Sequence, residues 1–293
     1  MKILLHFLLA AGLAVDAVAA IAACSPIPGV DQVLSKASVH WVFVGELHGS
    51  NETPAAFGDL VCDALARGKR VTVALERPTS EQAALDGILT AQDLSAAKTV
   101  LLQRPGWQDG MDGRASEAML RLLISLRELH KSYPELAVVA FDAPYTGTAD
   151  GARDQAMGRF LLAMGKTKPK NLILILVGNA HAMRAPKFGY EPAAMYLPSK
   201  EILSLEVTDR GGESWTSFDG GCGPSRGGVG DKEAKKPRGI FLDPKLAPFG
   251  KVDGILSLGV ALTSSAPAAG EPAPLPDCRT KFLSKHPPVA HDR

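Results

Sequence analysis

Four short apolar runs, each ending in ionisable or amide side chains, constrain this chain more than any other feature. The first, Trp41-Val42-Phe43-Val44, leads through Gly45 to Glu46, His48 and Glu52. The second, Arg70 to Leu75, ends in Glu76-Arg77-Pro78. The third, Leu136 to Phe141, ends in Asp142-Ala143-Pro144-Tyr145, and the fourth, Asn171 to Val177, in Gly178-Asn179-Ala180-His181. Continuous apolar runs of this length read as strands buried on both faces. Helical periods separate them, over about 53–67, 79–89, 93–103, 115–131 and 149–165. In 115–131, Met119, Leu122, Leu123, Leu126 and Leu129 share one face while Arg121, Arg127, Glu128 and Lys131 take the wet side. Strands alternating with helices pair in parallel, so the sequence predicts an α/β fold: a central, mostly parallel sheet with helices on both faces. Ligands of such sheets bind beyond the carboxyl ends of the strands, where all four polar endings fall.

Order weakens after His181. A short helix near 192–197, a strand near 201–207 and a last strand over Ile255 to Leu262 are expected. Residues 219–238 are rich in glycine and lysine without an apolar period, and read as a flexible loop. From Thr263 the Ala/Pro-rich chain reads as a tail, which leaves 24–262 as a single domain.

The first 23 residues carry Lys2, an apolar stretch and small residues at Ala17-Val18-Ala19 and Ala20-Ile21-Ala22, the pattern of a secretory leader. Asp16 breaks the apolar run before it reaches the roughly 20 residues a membrane span requires. Ile21-Ala22-Ala23-Cys24 also resembles a lipobox, so the exported protein is either secreted into the periplasm or a lipoprotein anchored at Cys24. Of the other cysteines, Cys222 and Cys278 share the loop-rich third and are expected to pair; if Cys24 carries lipid, Cys62 is left alone, buried on a helix face. Lys plus Arg (32) balances Asp plus Glu (31), which excludes an electrostatic case for nucleic acid. The partner is instead a small molecule or peptide.

His48 and His181 each stand three positions after a strand-end glycine, and imidazole suits both proton transfer and metal ligation. Glu46 and Glu76 are the first polar residues after their strands and need a partner, for which Arg77 is the nearest candidate. Glu52, Arg77, Arg114, Asp142 and Asn179 complete the candidate substrate-binding set. Ser116, at the start of the long helix, is either a nucleophile or a cap. The absence of a GxSxG elbow disfavours the usual serine-hydrolase chemistry, and no phosphate-binding glycine loop occurs.

Gly45-Glu46-x-His48-Gly49-x-x-Glu52, Ala74-Leu75-Glu76, Arg153-Asp154-x-x-Met157 and Gly178-Asn179-Ala180-His181 together resemble the erythromycin esterase, ChaN and Tiki superfamily, over about Val42 to Arg184. The resemblance implies three alternatives. Esterase-like members are hydrolases, which would make His48 the base that activates water, with Glu46, Glu76 and His181 positioning water or substrate. Tiki-like members imply a divalent metal held by Glu46, His48 and His181. ChaN-like members are haem-binding lipoproteins whose ligand is a tyrosine, for which Tyr145 is the nearest candidate. The chain is shorter than the esterases in the helical part that encloses a macrolide, which argues against a large macrocyclic substrate.

Overall fold

A computed structural model describes residues 24–108, 112–144, 151–186, 189–216, 223–226 and 236–270. The elements run α1 (Asp31–Leu34), β1 (Trp41–Glu46), α2 (Glu52–Ala66), β2 (Val71–Pro78), α3 (Gln82–Thr90), α4 (Leu94–Leu102), α5 (Pro105–Gln108), α6 (Glu117–Ser132), β3 (Ala137–Asp142), α7 (Ala152–Thr167) and β4 (Leu172–Gly178). After β4 come a 3₁₀ turn (Ala193–Tyr196), β5 (Ile202–Thr208), β6 (Glu213–Thr216), β7 (Gly223–Arg226), β8 (Gly239–Phe241) and β9 (Gly254–Ser257). None of the described helices is long and apolar enough to cross a membrane.

Seven strands form one sheet in the order β3-β2-β4-β1-β5-β9-β8, parallel throughout except for β8 against β9. The alternation of side chains decides which face each residue serves. Val42, Val44, Val73, Leu75, Leu174 and Leu176 pack with α2, α3 and α6 on one face. Trp41, Phe43, Ala74, Ile173, Ile175 and Val177 pack with Met157 and Leu161 of α7 on the other. Both faces are dry, which is why these strands read as unbroken apolar runs rather than as alternating ones. The α/β class expected from the sequence is therefore the observed one.

The chain makes β1, then moves outward to β2 and β3, and returns to place β4 between β2 and β1. All four polar strand ends thus lie side by side, in the order β3-β2-β4-β1, at strand spacings of about 4.8 Å. In register, Glu46 lies beside Gly178.

Several local expectations give way. A 3₁₀ turn at Thr79–Glu81 precedes α3, so that helix starts later than position 79. Ser116 is a cap, accepting from Met119 N at 3.3 Å, and its hydroxyl is buried in that role. A strand forms at Gly223–Arg226, inside the stretch expected to be loop. Residues 263–268 are not tail but a strap across the starts of α2 and α6. Ser265 N donates to Gly49 O (2.9 Å), Glu117 N to Ala266 O (2.8 Å) and Ala118 N to Ser265 Oγ (2.9 Å). The strap satisfies N–H groups that the first turn of α6 would leave open, a long-range pairing invisible to local periodicity.

Cys62 is not alone. Its sulfur is bonded to Cys24, closing a loop with a sequence separation of 38. Ser25 N donates to Asp59 Oδ1 on the same helix, and Ile27 and Val30 are buried in the larger core, so the segment after Cys24 is docked rather than free. Cys222 and Cys278 lie outside the described residues, as do Tyr145 and the leader.

Candidate active site

Glu76 is the centre of the strand-end site. β2 ends between β3 and β4, and the Glu76 carboxylate, on a residue 5% exposed, must find partners. Oε2 accepts from Gly178 N at 2.7 Å and stands 3.4 Å from His48 Nε2. Oε1 accepts from Arg114 Nη1 at 3.0 Å and Arg153 Nη2 at 2.6 Å. Burial pushes the Glu76 carboxyl up, but the charges on His48 and Arg114 outweigh burial and hold it well below the usual range. Gly178 makes this crowding feasible, because a Cβ there would sit 3.1 Å from His48 Nε2 and 3.4 Å from Glu76 Oε2.

His48 is held between two carboxylates. Nδ1 pairs with Glu46 Oε1 at 2.8 Å, and Nε2 faces Glu76. Desolvation alone would lower its pKa; the Glu76 charge, seconded by the bond to Glu46, instead raises it to about 10. The resting ring at neutral pH is therefore an imidazolium. Burial shifts Glu46 upward, a shift the His48 bond partly offsets.

His181 has the opposite surroundings. Nδ1 lies 2.7 Å from Asp154 Oδ1, which also accepts from Ala193 N at 2.8 Å. Nε2 lies 3.1 Å from Arg153 Nη1. A guanidinium only donates, so Nε2 accepts and Nδ1 carries the hydrogen. That assignment follows from the partners of the ring.

Arg153 also binds Asp142 with Nε (3.0 Å) and Nη2 (2.9 Å), and Arg114 reaches Asp142 Oδ2 at 3.3 Å and Asp112 Oδ2 at 2.6 Å. The carboxylates raise both arginine pKa values against the pull of burial, and Arg114 in turn holds Asp112 low. Beside this network opens a cleft of about 430 Å³, lined by Pro78, Thr79, Ser80, Ala143 and Pro144 as well as by Arg114, Asp142 and Arg153.

Of the residues singled out from sequence, Glu46, His48, Glu76, Arg114, Asp142 and His181 converge here. Asn179 joins through its backbone, N donating to Glu46 O at 2.9 Å. Two others stand elsewhere. Arg77, read as the partner of a strand-end carboxylate, turns back to Glu81 with two 2.9 Å bonds and lies over the Trp107 ring. Among the described residues it touches the site only through Nη1, which donates to Arg114 O. Glu52 holds the strap, accepting from Thr263 N (2.9 Å) and Oγ1 (2.6 Å). Arg153 and Asp154 were absent from the candidate set drawn from the strand ends. The available signal was a charged pair opening the helix after a polar strand end, which a parallel sheet returns to the same edge.

The metal alternative does not fit these residues. Among the described residues no three His, Cys, Asp or Glu side chains form a group able to hold an ion. Glu46 and Asp154 take the Nδ1 positions of the two rings, and Arg153 donates onto His181 Nε2, where a ligand would need a free lone pair.

No family model matches the chain, and no curated protein matches it in sequence. Solved structures do resemble it. A mutant of erythromycin esterase EreC in its open conformation superposes with a TM-score of 0.58 at 12% identity, covering 80% of this chain and 93% of the esterase. The type III effector HopBA1 (TM-score 0.42, 18% identity, 66% of this chain and 91% of the effector) and a protein from Bacillus cereus (0.48, 10%, 78% and 90%) are more distant. What the esterase comparison establishes is the fold: this chain has an α/β architecture like that of erythromycin esterase.

Proposed function

We propose that the chain hydrolyses an ester- or amide-like bond at the strand-end cleft, with His48 handling the proton of the attacking water. The observation that carries this reading is the placement of His48 between two buried carboxylates, one of which, Glu76, also binds the two arginines that line an open cleft. The hydrolase-like fold shared with the esterase is consistent with it.

The steps follow from the geometry. His48 first loses its Nε2 proton to solvent; the Nδ1 bond to Glu46 keeps the ring aimed. Nε2 then takes a proton from water as its oxygen adds to the substrate carbonyl. The developing oxyanion needs preorganised donors. Among the described residues, four of the five N–H groups of Arg114 and of Arg153 face carboxylates or His181, leaving one on each for a substrate oxygen. His48 finally returns its proton to the leaving oxygen or nitrogen. A cleft of about 430 Å³ lies in the lower half of the range for small-ligand sites, which favours a small substrate over a macrocycle.

The test is turnover of a panel of short-chain nitrophenyl esters and anilides by the wild type, His48→Ala and Glu76→Gln, with circular dichroism as the fold control. His48→Ala should lose turnover and Glu76→Gln should have a lower plateau rate at high pH, both keeping the native spectrum. Wild-type rates in both would end the proposal.

A further inference from the structure

We infer that Cys24 is a disulfide cysteine rather than a lipid-bearing one, and that the mature chain is an unlipidated protein of an oxidising, exported compartment. The residues Ile21-Ala22-Ala23-Cys24 leave lipidation open, because lipid attachment at such a cysteine makes a thioether through Sγ. In the structure that same Sγ is bonded to Cys62, with the two Cα atoms 5.6 Å apart, inside the ordinary range for a disulfide. A thiol sulfur forms one further single bond, so the two fates exclude each other.

Three further observations support the disulfide. Cys62 is a buried position on α2, packed against the body of the domain, so the bridge fixes the segment at Cys24 to a rigid helix. Ser25 binds Asp59 one turn earlier on that helix, and Arg238 binds the other oxygen of Asp59 at 2.6 Å. Ile27 and Val30 then enter the core at 2% and 3% exposure. A lipid anchor needs slack between the bilayer and the domain, and between Cys24 and the buried Ile27 there are only two residues.

Forming the bridge breaks two S–H bonds and makes one S–S bond. Two electrons and two protons pass to a disulfide-bearing oxidant, which leaves as its dithiol. Such oxidants act in exported compartments, whereas the bacterial cytosol keeps thiols reduced. The disulfide and the leader-like first 23 residues thus point independently to export.

The experiment expresses the full chain, leader included, in a bacterial host able to cleave and to lipidate exported proteins. The mature protein is alkylated without reductant, digested and mapped by mass spectrometry, with a reduced sample alongside. The expected result is a peptide pair joined through Cys24 and Cys62, no diacylglyceryl mass on Cys24, and alkylation of both residues only after reduction. A diacylglyceryl mass on Cys24, free alkylation of both thiols, or Cys24 joined to Cys222 or Cys278 would each overturn the inference. Cys62→Ser provides the second arm: Cys24 should then become alkylatable without reductant, and a Cys24 that stays blocked there counts against the pairing.

Discussion

A base whose pKa stands near 10 works from a small deprotonated fraction, which makes the pH profile the sharpest test of His48. The profile of kcat/KM reports the free enzyme. With His48 at about 10, the ring is deprotonated in about one molecule in a thousand at pH 7 and about one in ten at pH 9. Background-corrected kcat/KM should therefore climb about 100-fold between pH 7 and 9, roughly tenfold per unit, and level off above 10. Glu76→Gln removes the main charge that raises His48. At 3.4 Å and an effective dielectric of about 20, that attraction is worth about 5 kcal/mol, or about 3.5 units. The midpoint in Glu76→Gln should fall by about three pH units even as the plateau drops, and the midpoint is the informative quantity. Glu46→Gln should shift it in the same direction by less. A profile flat to pH 9 that declines near 10 would refute the base role and make His48 the proton donor. An unmoved midpoint in Glu76→Gln would refute the account of its charge.

The same pKa has a consequence for stability. His48 is raised from about 6.5 in the unfolded chain to about 10 in the folded one. The folded state therefore holds the extra proton between those values, and the stabilisation is complete below pH 6.5 and lost as pH rises through 10. The ceiling is about 5 kcal/mol, at about 1.36 kcal/mol per unit. Denaturant titrations at pH 6.5, 8 and 9.5 should give a falling unfolding free energy in the wild type and a flatter series in His48→Gln.

Reducing the Cys24–Cys62 bridge releases a loop with a sequence separation of 38, worth about 4 kcal/mol in the chain-entropy view; Cys62→Ala should melt about 10 °C lower by calorimetry. Arg77→Ala strands the buried Glu81 carboxylate and should cost about 3–5 kcal/mol in denaturant melts, against a much smaller loss for the charge-free pair Arg77→Met with Glu81→Leu. Chelation with EDTA should leave kcat/KM unchanged, because two guanidiniums hold the positive charge beside the cleft; a stoichiometric metal in purified protein would contradict this expectation. Asp154→Asn should lower kcat at least tenfold, since an amide nitrogen can turn towards His181 Nδ1 and favour the other tautomer.

The fold was legible because its strands are buried on both faces. Runs such as Leu172 to Val177 have no solvent side to interrupt them, so sequence alone locates them and, with the helices between, implies parallel pairing. The strand ends were legible for a related reason: Glu46, Glu76, Asp142 and His181 are the points at which apolar burial stops. What sequence could not supply was direction. Glu76 and Arg77 are neighbours in the chain, but they point to opposite sides of β2. One enters the site; the other closes a buried pair with Glu81, four residues on. Glu52 was equally plausible as a ligand-binding carboxylate until the strap at Thr263 supplied it with two donors from 211 residues away. Pairings of that separation leave no local trace, and the disulfide between Cys24 and Cys62 belongs with them.

Glu76 shows why the site forms where it does. A carboxylate at 5% exposure costs several kcal/mol unless it is paired. Its partners come from four separate places: the backbone of Gly178 on β4, His48 beyond β1, Arg114 before α6 and Arg153 at the start of α7. No local segment can satisfy it, so the residue is affordable only when β4 has inserted between β2 and β1. The arrangement also divides the two histidines. Glu76 and Glu46 keep His48 charged, whereas Asp154 and Arg153 fix His181 with its lone pair on Nε2. Two rings at one sheet edge in opposite states suit proton transfer far better than they suit a shared metal, for which both would have to present lone pairs to the same point.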